Sequence, residues 1–309
     1  MRKYHRRVQK IKQELIDTPE NVGAIRLSVI NYIGYGRWVT TFSPKVIRIN
    51  DKIRYNDAIY HPTVTHSVLK NGMKIGRSPQ FIEHFGPLYN KNEFKKRLDR
   101  IYAMERTIKE DEQNCFLFSM LAVENMSIGN IKDTLKYIEN ALNTSDDQDK
   151  DLPRFLKALI YYRLNLPWLA KDMLLDVAKQ KSFTAEAQLL LADLDAREKD
   201  NHSALNRILP YLEMHPDSVH LNLNCAALVV DVEPYKSINW LKKALNLLPT
   251  LFCSDIYKKG ADYNPYTFQD TFVSNYTNVF DLLFRAYVNI GDINEARYWK
   301  DKEHQIILK

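Results

Sequence analysis

Three histidines in the first third of the sequence are the residues whose type and spacing could do chemistry. His61 and His66 lie five residues apart in a segment of loop-like composition, and His84 follows the apolar pair Phe81 and Ile82 at the end of a predicted strand. A neutral imidazole can ligate a metal ion, and such an ion can in turn hold a diphosphate. A purely structural histidine is the alternative, and spacing alone does not decide between the two.

The second candidate is a basic segment that follows the last of these histidines. Lys95, Lys96, Arg97 and Arg100 share one predicted helix, and guanidinium and ammonium groups bind phosphate. A run of charge is more often a solvated helix face. Aromatic residues interleaved with arginines in the same part of the chain would also suit a nucleic acid. Since no nucleic-acid-binding motif is recognisable, nucleic acid is the least favoured partner.

The charge is divided unevenly along the chain. Residues 1–108 contain 21 Lys and Arg against 9 Asp and Glu, a balance of +12, whereas the remainder contains 23 against 29, a balance of −6. This asymmetry predicts either that the first part faces an anionic ligand or that the two parts attract each other across an interface.

Composition limits the class of protein. A chain of 309 residues with 45% hydrophobic residues can bury a full core and is long enough for two units. No apolar run approaches the ~20 residues of a membrane-spanning helix, and the basic N-terminus lacks the apolar segment of a secretory signal. Three cysteines without metal-ligand spacing indicate reduced, buried thiols and a cytoplasmic location.

The secondary structure predicted around the candidate residues changes along the chain from helix to strand. Apolar spacing predicts a helix over residues 4–20, ended by Thr18-Pro19, and then short strands over 24–32, 38–42 and 45–49. Residues 67–75 read as a hairpin or as a short helix followed by a strand, and the strand at Phe81 runs into a turn at Gly86. This region is too small for a complete nucleotide-binding sheet.

From Phe94 onward the sequence has the helical period and repeats itself near the 34-residue spacing of tetratricopeptide (TPR) units. Small residues at the expected start of each second helix, Thr134, Ala170, Ala204 and Ser237, are 36, 34 and 33 residues apart. We therefore expect about five helix pairs over residues 109–309, with an insertion near 250–275. Asp193-Leu194-Asp195 resembles a metal-binding pair, but residues two apart on a helix point to different sides, which argues against that role.

Taken in order, several segments resemble the later half of the catalytic domain of family-2 (GT-A type) glycosyltransferases that carry C-terminal tetratricopeptide repeats. They are a strand at 45–50, an acceptor-side segment at 55–61, two segments at 75–78 and 82–86, and the basic helix with Lys96 and Arg100. Order and spacing agree over roughly residues 8–110, and the repeats cover the rest. One departure is that the family's Ile-His-Glu stands here as Ile59-Tyr60-His61-Pro62.

The resemblance implies a mostly α fold, in which a short α+β remnant of a GT-A domain (residues 1–108) precedes a tetratricopeptide α-solenoid. It also implies hexosyl transfer from a nucleotide sugar with Mg²⁺ or Mn²⁺. In that reading His84 is a metal ligand, His61 lies on the acceptor side of the catalytic site, and Arg48, Lys96 and Arg100 contact phosphate.

The family's Asp-x-Asp pair would stand before the first residue of this sequence. We therefore expect the chain to be inactive by itself, as a truncated or split half that binds metal and nucleotide sugar only together with a donor-binding chain. The alternative is a non-enzymatic scaffold that holds a peptide or protein on the groove of its repeats, near Tyr161 and Asn224.

Overall fold

The computed structural model describes residues 2–34, 37–49, 51–55, 64–86, 92–108, 114–144, 150–180, 183–257 and 279–307. A small mixed unit comes first and an array of helices follows. The elements of the first unit are α1 (Arg2–Ile16), β1 (Val22–Gly34), β2 (Arg37–Ile47), α2 (Thr65–Lys70) and β3 (Lys74–His84).

The three strands form one mixed sheet in the order β2-β1-β3. β1 pairs antiparallel with β2, for example Val29 with Thr41, and parallel with β3, for example Val29 with Ile82. A parallel connection needs a crossover, and the segment containing α2 supplies it. The predicted strands at 24–32 and at Phe81 are thus confirmed, and the alternative of a short helix followed by a strand holds for residues 67–75.

The prediction of two separate strands at 38–42 and 45–49 is wrong, because β2 is one strand that runs through Pro44. Pro44 lies opposite Arg26, next to a register shift in the pairing of β1 with β2. A proline is tolerated at such a place since β2 is an edge strand and can lack one backbone donor. The first helix is also shorter than predicted: it ends at Ile16, and Thr18 donates its hydroxyl back to the carbonyl of Glu14.

The remaining described helices form antiparallel neighbours along the chain. They are α3 (Glu93–Ile108), α4 (Cys115–Ser127), α5 (Ile131–Asn143), α6 (Asp151–Arg163), α7 (Pro167–Val177), α8 (Thr184–Arg197), α9 (Asn201–Met214), α10 (Val219–Val229), α11 (Pro234–Leu247), α12 (Val279–Asn289) and α13 (Ile293–Ile307). Each helix packs against its sequence neighbours, with the strongest packing inside the pairs α4–α5, α6–α7, α8–α9, α10–α11 and α12–α13. Five helix pairs are therefore confirmed within the described residues.

The small residues at the start of each second helix explain how closely the pairs approach. Thr134, Ala170, Ala204 and Ser237 are all fully buried, at 0% exposure. The turns inside the first and last pairs use Gly129 and Gly291, both at positive φ, where a side chain would be strained. The repeat pattern in the sequence thus corresponds to real helix–helix contacts.

The sheet packs against the far end of the helical array. Ile30, Tyr32 and Trp38 belong to one apolar cluster with residues of α10 to α13. Two 3₁₀ turns, Pro249–Phe252 and Ser254–Tyr257, lie in the same cluster and occupy the start of the predicted insertion. The rest of that insertion, from residue 258 to 278, is outside the described residues.

The first helices of the array have a separate core. Residues of α3 to α8, among them Met104, Leu121 and Phe155, form a second large cluster. α3 packs against α4, so it extends the array by one helix before the first pair. A domain boundary at residues 108 and 109 stays a prediction.

Candidate functional site

Arg48, which we predict to contact phosphate, is bound to backbone carbonyls. Its Nε donates to the carbonyl of Val22 at 3.1 Å, and its Nη2 donates to those of Thr18 at 3.3 Å and Pro19 at 3.2 Å. These bonds fix the turn between α1 and β1, so the structure gives this guanidinium a role in holding two elements together.

The basic helix α3 directs two of its arginines into the array. Glu124 of α4 is 1% exposed and accepts from Arg97 at 3.0 Å and from Arg100 at 3.3 Å. The guanidinium of Arg100 is therefore bound to a buried carboxylate, and Lys96 lies exposed on the same helix. Arg48 binds the turn between α1 and β1, whereas Arg100 binds Glu124 of α4. The two arginines predicted to contact phosphate are therefore engaged with different elements.

His84 lies at the carboxyl end of β3, as predicted. Its Nδ1 is 2.8 Å from Oδ1 of Asn31 on the neighbouring strand. Glu83 is held by two hydroxyls instead, since it accepts from Tyr32 at 3.0 Å and from Thr250. In the described ranges, no cluster of three or more His, Cys, Asp or Glu side chains could hold a metal ion. His61 lies outside the described residues.

The two aspartates dismissed as a metal pair do point to different sides. Asp193 accepts from Tyr162 at 2.5 Å and pairs with Arg197 at 2.7 Å. Asp195 is buried and pairs with Lys171 at 3.0 Å and with Arg207 at 2.6 Å. Burial, together with the charge of Asp193, raises the pKa of Tyr162 well above its usual range, so its phenol stays a donor.

The groove position Asn224 is not accessible to a partner. It is 8% exposed, and its Nδ2 donates to the carbonyl of His220 at 3.0 Å. Tyr161 is half-buried and packs against the core of the first repeats. The prediction that Asn224 lines the groove is therefore wrong. The helical period of the sequence does not show which face of α10 is covered by other helices.

A cleft on the third helix pair is a candidate ligand site. It has a volume of ≈ 520 Å³ and lies between α8 and α9. Its lining residues are Gln188, Ser203, Asn206, Arg207, Pro210, Tyr211 and Met214. We refer to it as the α8–α9 cleft.

The polar side of the α8–α9 cleft is fixed by ion pairing. Arg207 binds Asp195 and also donates to Oε1 of Gln188 at 3.1 Å. That bond uses the acceptor of Gln188, so its amide nitrogen is left to donate to a ligand. Asn206 lies within 3.1 Å of His202 through its Nδ2, which leaves its side-chain oxygen to accept.

Pro210 interrupts the backbone hydrogen bonding of α9 beside the cleft. It lies inside α9 and has no N–H, so it cannot donate to the carbonyl of Asn206 four residues earlier. A proline inside a repeat helix is the one sequence signal that could have indicated this site. Tyr211 and Met214, the latter 61% exposed, form the apolar wall beside it.

The charges around the cleft come from both parts of the chain. Burial and the nearby charge of Glu186 raise the pKa of Tyr211, so its hydroxyl remains protonated. Burial and the charge of Arg77 lower the pKa of His215, the residue after the last of α9. The basic strand β3 therefore approaches one end of the third repeat.

Comparison with known proteins adds fold information only. No family model matches the sequence, and no curated protein matches it either. Among solved structures, PilW, a type IV pilus biogenesis factor, aligns with a TM-score of 0.52 at 11% identity over 68% of this chain and 86% of its own. The helical array has a tetratricopeptide-type fold.

Two further structures align less well. YrrB, described as a TPR protein with an unusual peptide-binding site, gives a TM-score of 0.48 at 12% identity over 67% of this chain and 93% of its own. PilF of Pseudomonas aeruginosa gives 0.48 at 14% identity, over 68% of this chain and 84% of its own. Within the described residues, no helix combines the length and apolarity needed to cross a membrane.

Proposed function

We propose that this protein is a non-enzymatic tetratricopeptide scaffold that binds an extended peptide segment of another protein in the α8–α9 cleft. Stacked helix pairs present continuous surfaces, and such surfaces bind proteins and peptides. The observation that carries the proposal is the cleft itself, in which amide donors and acceptors stand beside an apolar wall.

The chemistry of the cleft suits a peptide backbone. One peptide unit offers an N–H and a C=O, and the cleft offers the side-chain oxygen of Asn206 and the amide nitrogen of Gln188. A side chain of the bound segment would pack against Tyr211 and Met214. Arg207 has a structural role at the base of the cleft, because its guanidinium is already paired with Asp195.

The test is a peptide selection on the intact chain, followed by affinity measurements. Selected peptides should lose at least about tenfold in affinity, or 1.4 kcal/mol, with Asn206→Ala or Tyr211→Ala. The matched control is Tyr235→Ala, an exposed tyrosine of α11 outside the cleft. Equal binding by both tyrosine variants, with helicity unchanged by circular dichroism, would exclude the cleft as the site.

The acceptor-side half of a glycosyltransferase is the second candidate. It rests on the order of the segments in the sequence alone. In this reading His84 and Arg100 would act only once a donor-binding chain completes the site. Calorimetric titration of the isolated chain with a nucleotide sugar and Mn²⁺ tests the scaffold proposal, because micromolar binding would contradict it. The glycosyltransferase candidate expects such binding only after a donor-binding chain has been added.

A further inference from the structure

One face of the sheet lies along the second half of the helical array. Ile30 and Tyr32 of β1 point to this face and share a core with α12 and α13. Val219, the first residue of α10, belongs to the same core. Alternate residues of a strand share a face, so Arg26 lies on this face as well, nearer the start of β1. The face therefore carries apolar side chains at one end and a positive charge at the other.

A second arginine stands beside Arg26 on this face. Arg77 of β3 is the register partner of Arg26, and register partners on neighbouring strands point to the same face of a sheet. Both residues are exposed. Like charges that lie opposite each other destabilise a sheet, so an anion bound by both guanidinium groups would offset their repulsion. We call these two residues the arginine pair.

A carboxylate of the chain itself is the alternative partner for this charge. Arg26 forms no ion pair with a carboxylate of the described residues. Glu14 of α1 reaches β3, but it accepts from Ser78 and from Gln80 at 3.2 Å. Ser78 directly follows Arg77, so it points to the opposite face of the sheet. The carboxylate of Glu14 is therefore bound on the other side from the arginine pair.

The arginine pair lies near one end of the α8–α9 cleft. Burial and the charge of Arg77 lower the pKa of His215, so the guanidinium of Arg77 is close to the residue that follows Met214. α9 lines the cleft from Ser203 to Met214. A peptide that lies extended along α9 would therefore reach β3 once it passes Met214.

The charge next to the cleft changes sign towards this end. Tyr211, in the apolar wall, is close enough to Glu186 for that carboxylate to raise its pKa, whereas the arginine pair beyond the wall is positive. An acidic side chain is repelled at Tyr211 and attracted at the arginine pair. An apolar side chain at the wall and an acidic one next to it would suit both places.

We propose that the arginine pair binds an acidic side chain of the same peptide that occupies the α8–α9 cleft. Guanidinium groups bind carboxylates through charge-assisted hydrogen bonds. The inference rests on the proposed function, and it adds the class of partner: a segment that combines an apolar residue with a nearby Asp or Glu. It also gives the N-terminal sheet a part in selecting that partner.

The experiment uses the peptides selected on the intact chain. They should be enriched in Asp or Glu at one fixed distance from an apolar residue. Arg26→Glu and Arg77→Glu should each lower their affinity about fivefold, the upper range for an exposed ion pair. Lys70→Glu is the matched control, because it makes the same change of charge at an exposed residue of α2. Its affinity should stay within about twofold of the wild type.

A charge exchange in the peptide guards against an effect of misfolding. The double variant Arg26→Glu with Arg77→Glu should bind better to a peptide whose acidic residue is replaced by Lys than to the original peptide. A merely destabilised chain would lose both peptides alike.

The outcomes separate this inference from the proposed function. Peptides that need Tyr211 but show no acidic preference, or that bind Arg26→Glu as well as Lys70→Glu, would overturn the inference and leave the cleft in place. Peptides that depend on the arginine pair but bind Tyr211→Ala and Asn206→Ala normally would overturn both, since one segment would not occupy the two places.

Discussion

The two ends of the helical array differ in how far their apolar side chains are buried. At the far end, Phe280 and Trp299 of the last pair are buried in a cluster that also contains Ile30 and Trp38 of the sheet. At the near end, α3 leaves Phe94, Leu98 and Tyr102 exposed. Each repeat buries its apolar surface only against neighbours, so an end needs a cover. Here the cover of the last repeats comes from the beginning of the chain.

This difference separates the molecule into two packing regions that respond differently to mutation. The sheet and the last repeats share one core, and the first repeats have another. A change in one core should weaken the elements of that core most. The following predictions test that division, from the largest expected effect to the smallest.

Phe280→Ala should have the largest effect. Phe280 and Phe155 are both fully buried, one in each core, and removal of a buried phenylalanine costs about 3–5 kcal/mol. Hydrogen exchange measured by mass spectrometry should show β1 losing protection in Phe280→Ala but keeping it in Phe155→Ala. If both variants weaken β1 equally, the two cores form one cooperative unit.

Acid should destabilise the last repeats through His220. Burial lowers the pKa of His220 to about 4, below the ordinary 6.5. The unfolded chain therefore takes up a proton at a pH where the folded chain does not, and stability falls as the pH drops from 6.5 towards 4, by up to ~3 kcal/mol.

Urea unfolding at pH 7 and pH 4.5 measures this effect. His220→Gln should reduce the loss of stability, and His202→Gln, at an exposed position, should not. A His220→Gln variant with the wild-type pH dependence would rule out this histidine as the cause.

Glu124→Gln should weaken the near end by about 2 kcal/mol, since it leaves Arg97 and Arg100 without their shared carboxylate. The cost is moderate because both guanidinium groups keep some solvent contact. Glu139→Gln is the control: that carboxylate is exposed and pairs with Lys157, so the expected change is below about 0.5 kcal/mol. Thermal denaturation compares the two variants, and equal shifts would contradict the assignment.

Tyr32→Phe should cost about 1 kcal/mol, the value of one hydrogen bond. The hydroxyl of Tyr32 donates to Glu83, which also accepts from Thr250 of the first 3₁₀ turn. The ring remains stacked on Phe85 at 4.9 Å, so packing is kept. A double-mutant cycle with Thr250→Val should show coupling of at least ~0.5 kcal/mol. Strict additivity would mean that the two hydroxyls do not act through one carboxylate.

The helical array could be predicted from sequence because its signals are local. Buried small residues such as Ala170 and Ala204 recur at a fixed spacing, and helix caps such as Asn130 and Asp200 stand where each second helix begins. The three free cysteines also follow the prediction in part: Cys115 and Cys225 are buried, and Cys253 is half-buried. Burial raises the pKa of the Cys225 thiol to about 12.

The contacts between distant parts could not be predicted in the same way. Nothing in the local pattern around Glu83 indicates that Thr250, 167 residues later, binds it. The α8–α9 cleft likewise depends on how two helices diverge, and only Pro210 marks it in the sequence. Charge asymmetry left two explanations open, and the ion pairs of Arg97 and Arg100 with Glu124 join the basic part of the chain to the acidic part.

The shared core of β1 and the last repeats has a consequence for synthesis. The strand leaves the ribosome about 250 residues before α12 and α13 are complete, and at 5–20 residues per second that delay is on the order of tens of seconds. During that time Tyr32 and Trp38 lack the surface that later buries them. A nascent chain of this protein thus presents an apolar strand hairpin that a chaperone can bind, and a chain stopped before the last pair would keep it exposed.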